Sequence, residues 1–141
     1  MIVIFIYGPA AAGKYTIGSK VSESTGLALF HNHLTVDLVS SLFEFGSDGF
    51  KGLRSNIWRS AFLASAKENK SFVFTFHPES TVEDSLVSEL QEIIENEGGS
   101  IFFVELTCST TAVLERIENE SRKQFGKLTD PDLYQSIDAL K

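Results

Sequence analysis

The sequence predicts an α/β domain with a parallel sheet of four to five strands between helical layers, and three observations predict it. Short apolar runs of strand length alternate with segments of helical period along the chain. The first run, Ile2 to Ile6, is continuously apolar, as in a strand covered on both faces. That run leads through a loop of small residues, "YGPAAAGKYT", directly into a helical pattern. Alternation of this kind gives a parallel sheet, whose ligands bind at the carboxyl ends of the strands.

The elements follow in order. Lys14 to Ser24 has Ile17 and Val21 one helical turn apart, and Leu27 to Phe30 is a second short strand. Leu34, Leu38 and Leu42, with Val39 and Phe43, make an apolar helical stripe that "FGSDGF" (45–50) breaks with two glycines. Phe50, Leu53, Ile57, Trp58 and Phe62 mark another helix, and Ser71 to Phe76 a third strand. Val82, Leu86, Leu90, Ile93 and Ile94 form a helix that stops at Gly98-Gly99. Ile101 to Leu106 is a fourth strand, and Val113, Leu114 and Ile117 begin a further helix. The final "DPDLYQSIDALK" reads as helix with no strand after it. No composition shift marks a boundary, so residues 1–141 are expected to form one domain.

Composition narrows the function classes. With 43% hydrophobic residues, twelve of the 141 residues being Phe, the chain can fill a core. A net charge of −7 argues against nucleic acid held by general phosphate attraction, but leaves room for a small anion in a locally positive pocket. Cys108 is the only cysteine, which excludes an internal disulfide and a Cys-based zinc site and points to the cytoplasm. The apolar start lacks a positively charged n-region, and no run approaches the roughly 20 apolar residues that span a membrane.

Gly8, Gly13 and Lys14 satisfy G-x-x-x-x-G-K. Glycines let backbone N–H groups turn toward phosphate oxygens, the following helix adds its positive end, and the lysine adds a point charge. Ala11 and Ala12, with Ala10, keep the loop low enough for close approach. The competing reading is a plain strand-to-helix turn with a solvated lysine; the strand before and the helix after favour the phosphate loop. Tyr15 stands where such loops place a hydroxyl for Mg²⁺, and Thr16 comes one place late.

Other polar residues fall at the same expected sheet edge. "FHNHLTVDL" (30–38) follows the second strand. His33 has the chemistry of a base or of a group that orients a hydroxyl, and Asn32 suits the N-cap of a helix beginning at His33. His77, before Pro78, follows the third strand. Arg54 and Arg59 are five apart and do not share one helical face closely, so one is expected to be functional and the other solvated. Residues 79–97 hold seven acids and no base, the pattern of a solvated helical face. Arg116, Arg122, Lys123 and Lys127 cluster in "VLERIENESRKQFGKLTDPD", among acids that could pair with them.

On "YGPAAAGKYT", "FHNHLTVDLVSSLF" and "ESRKQFGKLTDP" the chain resembles the P-loop small-molecule and nucleotide kinases, of the shikimate-kinase-like and adenylate-kinase-like kind. The resemblance implies the three-layer P-loop NTPase fold, with ATP and Mg²⁺ as cofactors. It implies that Gly8, Ala11, Ala12, Gly13, Lys14, Tyr15 and Thr16 line the nucleotide's phosphates. Thr16 contacts phosphate as in the G-K-x-T relatives, and is at most a weak metal contact, Mg²⁺ being held mainly by phosphates and water. His31, His33, Asp37, Arg54 and His77 would face the acceptor, Arg54 as an anion contact. A lid over about 116–130 would bring Arg116 and Arg122 to the transferring phosphoryl group, with Gly126 as hinge. These kinases end with a fifth strand and a last helix, and no such strand is legible here.

The functional expectation is an ATP-dependent phosphotransferase acting on a small hydroxylated or phosphorylated metabolite. Lys14, Arg116, Arg122 and His33 would be its catalytic residues. A non-catalytic nucleotide-binding or regulatory protein is the alternative from another class. An NTP hydrolase is a third, with no water-positioning acid visible at the third strand.

Overall fold

A computed structural model describes residues 1–107. Four parallel strands form one sheet: β1 (Ile2–Tyr7), β2 (Ala28–Phe30), β3 (Phe72–Phe76) and β4 (Ser100–Glu105). Their spatial order is β2-β3-β1-β4, with Phe5 registered between Phe74 and Phe103. Four helices connect them: α1 (Lys14–Thr25), α2 (Asn32–Ser40), α3 (Asp48–Lys67) and α4 (Leu86–Asn96).

Strand alternation divides the side chains between two helical layers. Val3, Phe5, Phe72, Phe74 and Phe76 point to one face, where Trp58, Phe62, Leu86, Leu90 and Ile94 of α3 and α4 bury them. Each phenylalanine buried there contributes about 1.5–3 kcal/mol. Leu29, Val73 and Thr75 point to the other face, and α1 crosses them at Gly18. A Cβ on Gly18 would lie only 3.1 Å from Thr75 Cγ2 and 3.2 Å from Leu29 Cδ1, so glycine sets how near α1 sits to the sheet.

Three expectations are corrected by local physics. The leucine stripe of α2 is turned outward, with Leu34 61% and Leu38 58% exposed, while Asn32, Thr35 and Val39 face in. The backbone N–H of Asn32 donates to Thr75 Oγ1 at 3.1 Å, and this buried bond sets the rotation of the helix. The buried stripe of α3 runs Phe50, Arg54, Trp58, Phe62 and Ala66, a strict four-residue step that places Arg54 in the core where Leu53 and Ile57 were expected. Finally, α4 begins at Leu86, not at Val82, because residues 79–83 form hydrogen-bonded turns before it. The helix leaves through Gly98 at φ +84°, the stop that the glycine pair predicts.

The lid over 116–130, with Arg116, Arg122 and Gly126, lies outside the described residues, as do Cys108 and any fifth strand.

Candidate functional site

The strand order creates the site. From β1 the chain crosses by α1 toward β2, and from β3 it crosses by α4 toward β4, in opposite senses across the sheet. The carboxyl ends of β1 and β3 therefore open side by side at the switch point, where doubly wound sheets bind ligands. The loop after β1 is the glycine-lysine loop, and the loop after β3 begins with His77. His77 Nδ1 lies 3.4 Å from the Gly8 carbonyl oxygen.

The loop is compact and specifically shaped. Ala10, Ala11 and Ala12 are buried. The Ala12 N–H donates to the Pro9 carbonyl at 3.2 Å. Ala11 holds φ +61°, a left-handed conformation that few alanines adopt, and such strain gathers at functional sites. Gly13 is the N-cap of α1 at φ +94° and brings no side-chain cap. The first amides of α1 lack intrahelical acceptors, as at every helix start. Gly8 passes so close to the end of β4 that an added Cβ would stand 2.5 Å from the Leu106 carbonyl oxygen. Lys14 Nζ folds back and donates to the carbonyls of Gly8 and Pro9, each at 2.8 Å. The ammonium is thus held over the loop's own backbone, at the strand edge where phosphate would enter.

On the neighbouring side, Tyr15 packs its ring on His31, centroids 4.7 Å apart at 33°. His31, not Asn32, is the N-cap of α2: its Nδ1 accepts the His33 N–H at 3.2 Å. The two imidazoles of His31 and His33 meet edge to face at 5.1 Å. The Thr75 hydroxyl donates to Asn32 Oδ1 at 3.1 Å while accepting the Asn32 N–H, a closed and fully buried pair. Sequence reading missed Thr75; a hydroxyl inside the apolar strand "FVFTF" was the available signal.

The structure therefore brings Gly8, Gly13, Lys14, Tyr15, His31, His33 and His77 to one edge. Thr16 starts the exposed face of α1, and Asp37 is exposed on α2. Arg54 stands apart from that expectation. Its Nη1 donates to Glu79 at 3.0 Å, its Nη2 to the Thr81 carbonyl at 2.8 Å, and its guanidinium lies 4.8 Å from the Phe50 ring centre. Burial lowers its pKa and the Glu79 charge opposes that shift. In this structure Arg54 is a buried, paired residue, not an open anion contact. Arg59 stays partly exposed and is ion-paired: it bonds Glu89 at 2.6 Å and Glu83 at 2.9 Å, and these bonds, that to Glu89 first, raise its pKa. Three acids of the segment read as a solvated face, Glu79, Glu83 and Glu89, thus tie that segment to α3.

Oxygen donors for a metal are few at the loop, and the sequence's candidate, Thr16, starts the exposed face of α1. Hard divalent cations favour carboxylate and hydroxyl oxygens. At the loop the position after the lysine is an aromatic ring, and the ends of β2 and β3 carry His31, Asn32, Thr75 and His77. Glu79 is engaged by Arg54, and Glu105 faces the Tyr7 hydroxyl at 3.4 Å. Among the described residues no group of three or more His, Cys, Asp or Glu side chains could hold an ion.

No protein-family model matches the chain, and comparison with curated proteins finds no relative. Solved structures do match. A sugar kinase from Janibacter sp. HTCC2649 superposes with a TM-score of 0.62 at 15% identity, covering 91% of this chain and 78% of that one. A gluconokinase from Sinorhizobium meliloti 1021 gives a TM-score of 0.61 at 18% identity, covering 96% and 71%. The chain therefore has the fold of the P-loop kinases. Among the described residues no helix is long and apolar enough to cross a membrane.

Proposed function

We propose that the protein is an ATP-dependent phosphotransferase acting on a small hydroxylated or phosphorylated metabolite. The observation that carries the reading is Lys14, held at 2.8 Å over the carbonyls of a glycine loop that opens at the switch point of a kinase-like sheet. In this reading Lys14 exchanges its carbonyl partners for the β- and γ-phosphates, joined by amides of the loop and the contact of Thr16. His33 and His77 meet the acceptor, and Asp37 and His31 border it. On the family resemblance, Arg116 and Arg122 close over the transferring group. Arg54 serves the acceptor side indirectly, by fixing through Glu79 the segment that follows His77. Phosphoryl transfer needs mainly positioning and charge stabilisation, which such an arrangement supplies.

The test is thermal unfolding with ADP or ATP for the wild type and for Lys14→Met, followed by acceptor-dependent ADP release. Ligand at about 100 times its dissociation constant adds roughly 2.7 kcal/mol of stability, several degrees in Tm. Stabilisation in the wild type that is lost in Lys14→Met supports the site. No stabilisation in the wild type removes the reading.

The second reading is a nucleotide-binding or regulatory protein without turnover. The Tyr15–His31 stack, in place of an oxygen ligand, favours it. Saturable nucleotide binding with no ADP release across a broad panel of sugars, alcohols and phosphorylated metabolites would establish it.

A further inference from the structure

The fold turns the leucine stripe of α2 into water and extends it. Beyond Leu34 and Leu38, Leu42 is 73% exposed, and Phe43 and Phe45 are 40% and 62% exposed. Exposed apolar side chains are ordinary when scattered. Here five fall within twelve positions. The helical turn runs on past Ser40, because the N–H groups of Leu42 and Phe43 both donate to the Val39 carbonyl at 3.0 Å. The three leucines, four residues apart, therefore make one ridge along the exposed side, while Thr35 and Val39 face the core.

Size and charge narrow what can cover the ridge. The five side chains leave roughly 500–600 Å² in water, the upper end of the largest patch on a typical monomer. Between Lys20 and Lys51 the sequence has no lysine or arginine, and Asp37 and Glu44, beside the stripe in sequence, are exposed. A helix that lies on a membrane surface carries such bases beside its apolar face, and α2 has none. Residues 108–141 continue the chain from β4, at the opposite edge of the sheet from β2, the strand that leads into α2. β4 has exposed apolar residues of its own there, Phe102, Phe103 and Val104.

A second copy of the chain fits the ridge. Ridges of residues four apart interdigitate in the commonest helix crossing of globular proteins. In a two-fold contact of stripe on stripe, Leu38, the middle residue, meets its own copy whichever way the helices run. The five side chains of both copies bury about 1,000–1,200 Å², which reaches the size of a specific interface before any rim is counted. We propose that the chain forms a two-fold dimer through Leu34, Leu38 and Leu42 of the α2 ridge, with Phe43 and Phe45 extending the contact. The ridge begins one residue after His33, so the interface also fixes the α2 side of each candidate site. The dimer does not depend on the nucleotide reading.

The experiment is sedimentation equilibrium of the full chain at micromolar concentrations. The wild type is expected at the mass of two chains. Leu38→Glu and Leu38→Lys each set two like charges at the axis, and each should weaken association at least about a hundredfold. Leu38 is exposed, so both should keep the wild-type circular dichroism spectrum. Mixed in equal amounts they should regain the two-chain mass, because glutamate then meets lysine, a rescue that misfolding could not give. A wild type at the mass of one chain overturns the proposal and leaves the ridge to another segment of this chain or a different protein. Dimers that survive in both variants overturn it by placing the contact elsewhere. Monomeric variants that do not recombine overturn the two-fold contact at Leu38.

Discussion

Removing the Glu79 carboxylate should destabilise this protein more than any other single change at a charged residue described here. Arg54 is 2% exposed and Glu79 10% on their side chains. The carboxylate accepts from Arg54 at 3.0 Å and from the Thr81 N–H at 2.9 Å, and it also takes the Thr81 hydroxyl. Glu79→Ala leaves a guanidinium inside the protein with the Thr81 carbonyl as its hydrogen-bonded acceptor. Breaking a buried pair by removing one partner costs about 3–5 kcal/mol. For a domain of this size each kcal/mol moves Tm by roughly 3–5 °C, so the expected fall is about 9–25 °C. The double variant Arg54→Met/Glu79→Met removes both charges and should recover most of the loss, to within about 2 kcal/mol of wild type, because an apolar pair needs no compensation. Urea unfolding followed by fluorescence of Trp58, the only tryptophan, reads both, since its ring lies 5.3 Å from the guanidinium. A loss below 1 kcal/mol in Glu79→Ala, or a double variant as unstable as the single, would refute the closed pair.

Four further outcomes follow from the site. Ala11→Val should cost about 2 kcal/mol or more, because a β-branched residue at φ +61° is strained, whereas Ala11→Gly should be close to neutral; chemical denaturation compares them. Gly8→Ala should abolish nucleotide-dependent stabilisation, since its Cβ must push the loop away from the Leu106 carbonyl; unchanged thermal shifts would contradict the close approach. Thr75→Val keeps the shape but strands the Asn32 N–H and side-chain oxygen, a loss of about 2–3 kcal/mol by urea titration. The Arg59 and Ser85 hydrogen bonds hold Glu89 below its ordinary pKa. Its contribution is therefore complete above the unfolded-state value and lost as pH falls through the folded one. Arg59→Met should consequently narrow the stability difference between neutral and acid pH, as followed by thermal unfolding across that range.

The fold was legible because its signals are local and redundant. The apolar runs of β1 and β3, the glycine loop, and the helical period of α1 each point to the same architecture. What could not be read was which face of a helix is buried when two apolar stripes compete. In α3 both the Leu53–Ile57 set and the Phe50–Trp58–Phe62 set satisfy a helical period, and the packing of Phe62 against Phe72 and Phe74 selects the second. That choice carries Arg54 inward, so its partner had to come from elsewhere in the chain. Glu79 is twenty-five residues away, a pairing no periodicity encodes. The same holds for α2, whose rotation is set by Thr75, forty-three residues from Asn32. At the site the loop was legible as chemistry, from spacing and residue type. The stacking of Tyr15 on His31 was not, because it depends on β2 and β1 being separated by one strand.

These long-range contacts share one direction. Glu79 ties the segment after His77 to α3, Thr75 ties the start of α2 to β3, and Tyr15 ties the start of α1 to that same α2 turn. All three converge on the carboxyl edge of the sheet, where the strained Ala11 must also be held. Strain of about 1–2 kcal/mol in the loop persists only if its surroundings over-determine it. An edge built from hydrogen bonds, one aromatic stack and one buried ion pair can do this. Each carboxylate spent on an arginine is one that does not repel an incoming anion. The net charge of −7 leaves room for an anion at this edge, because Glu79, the acid that follows His77, is paired with Arg54.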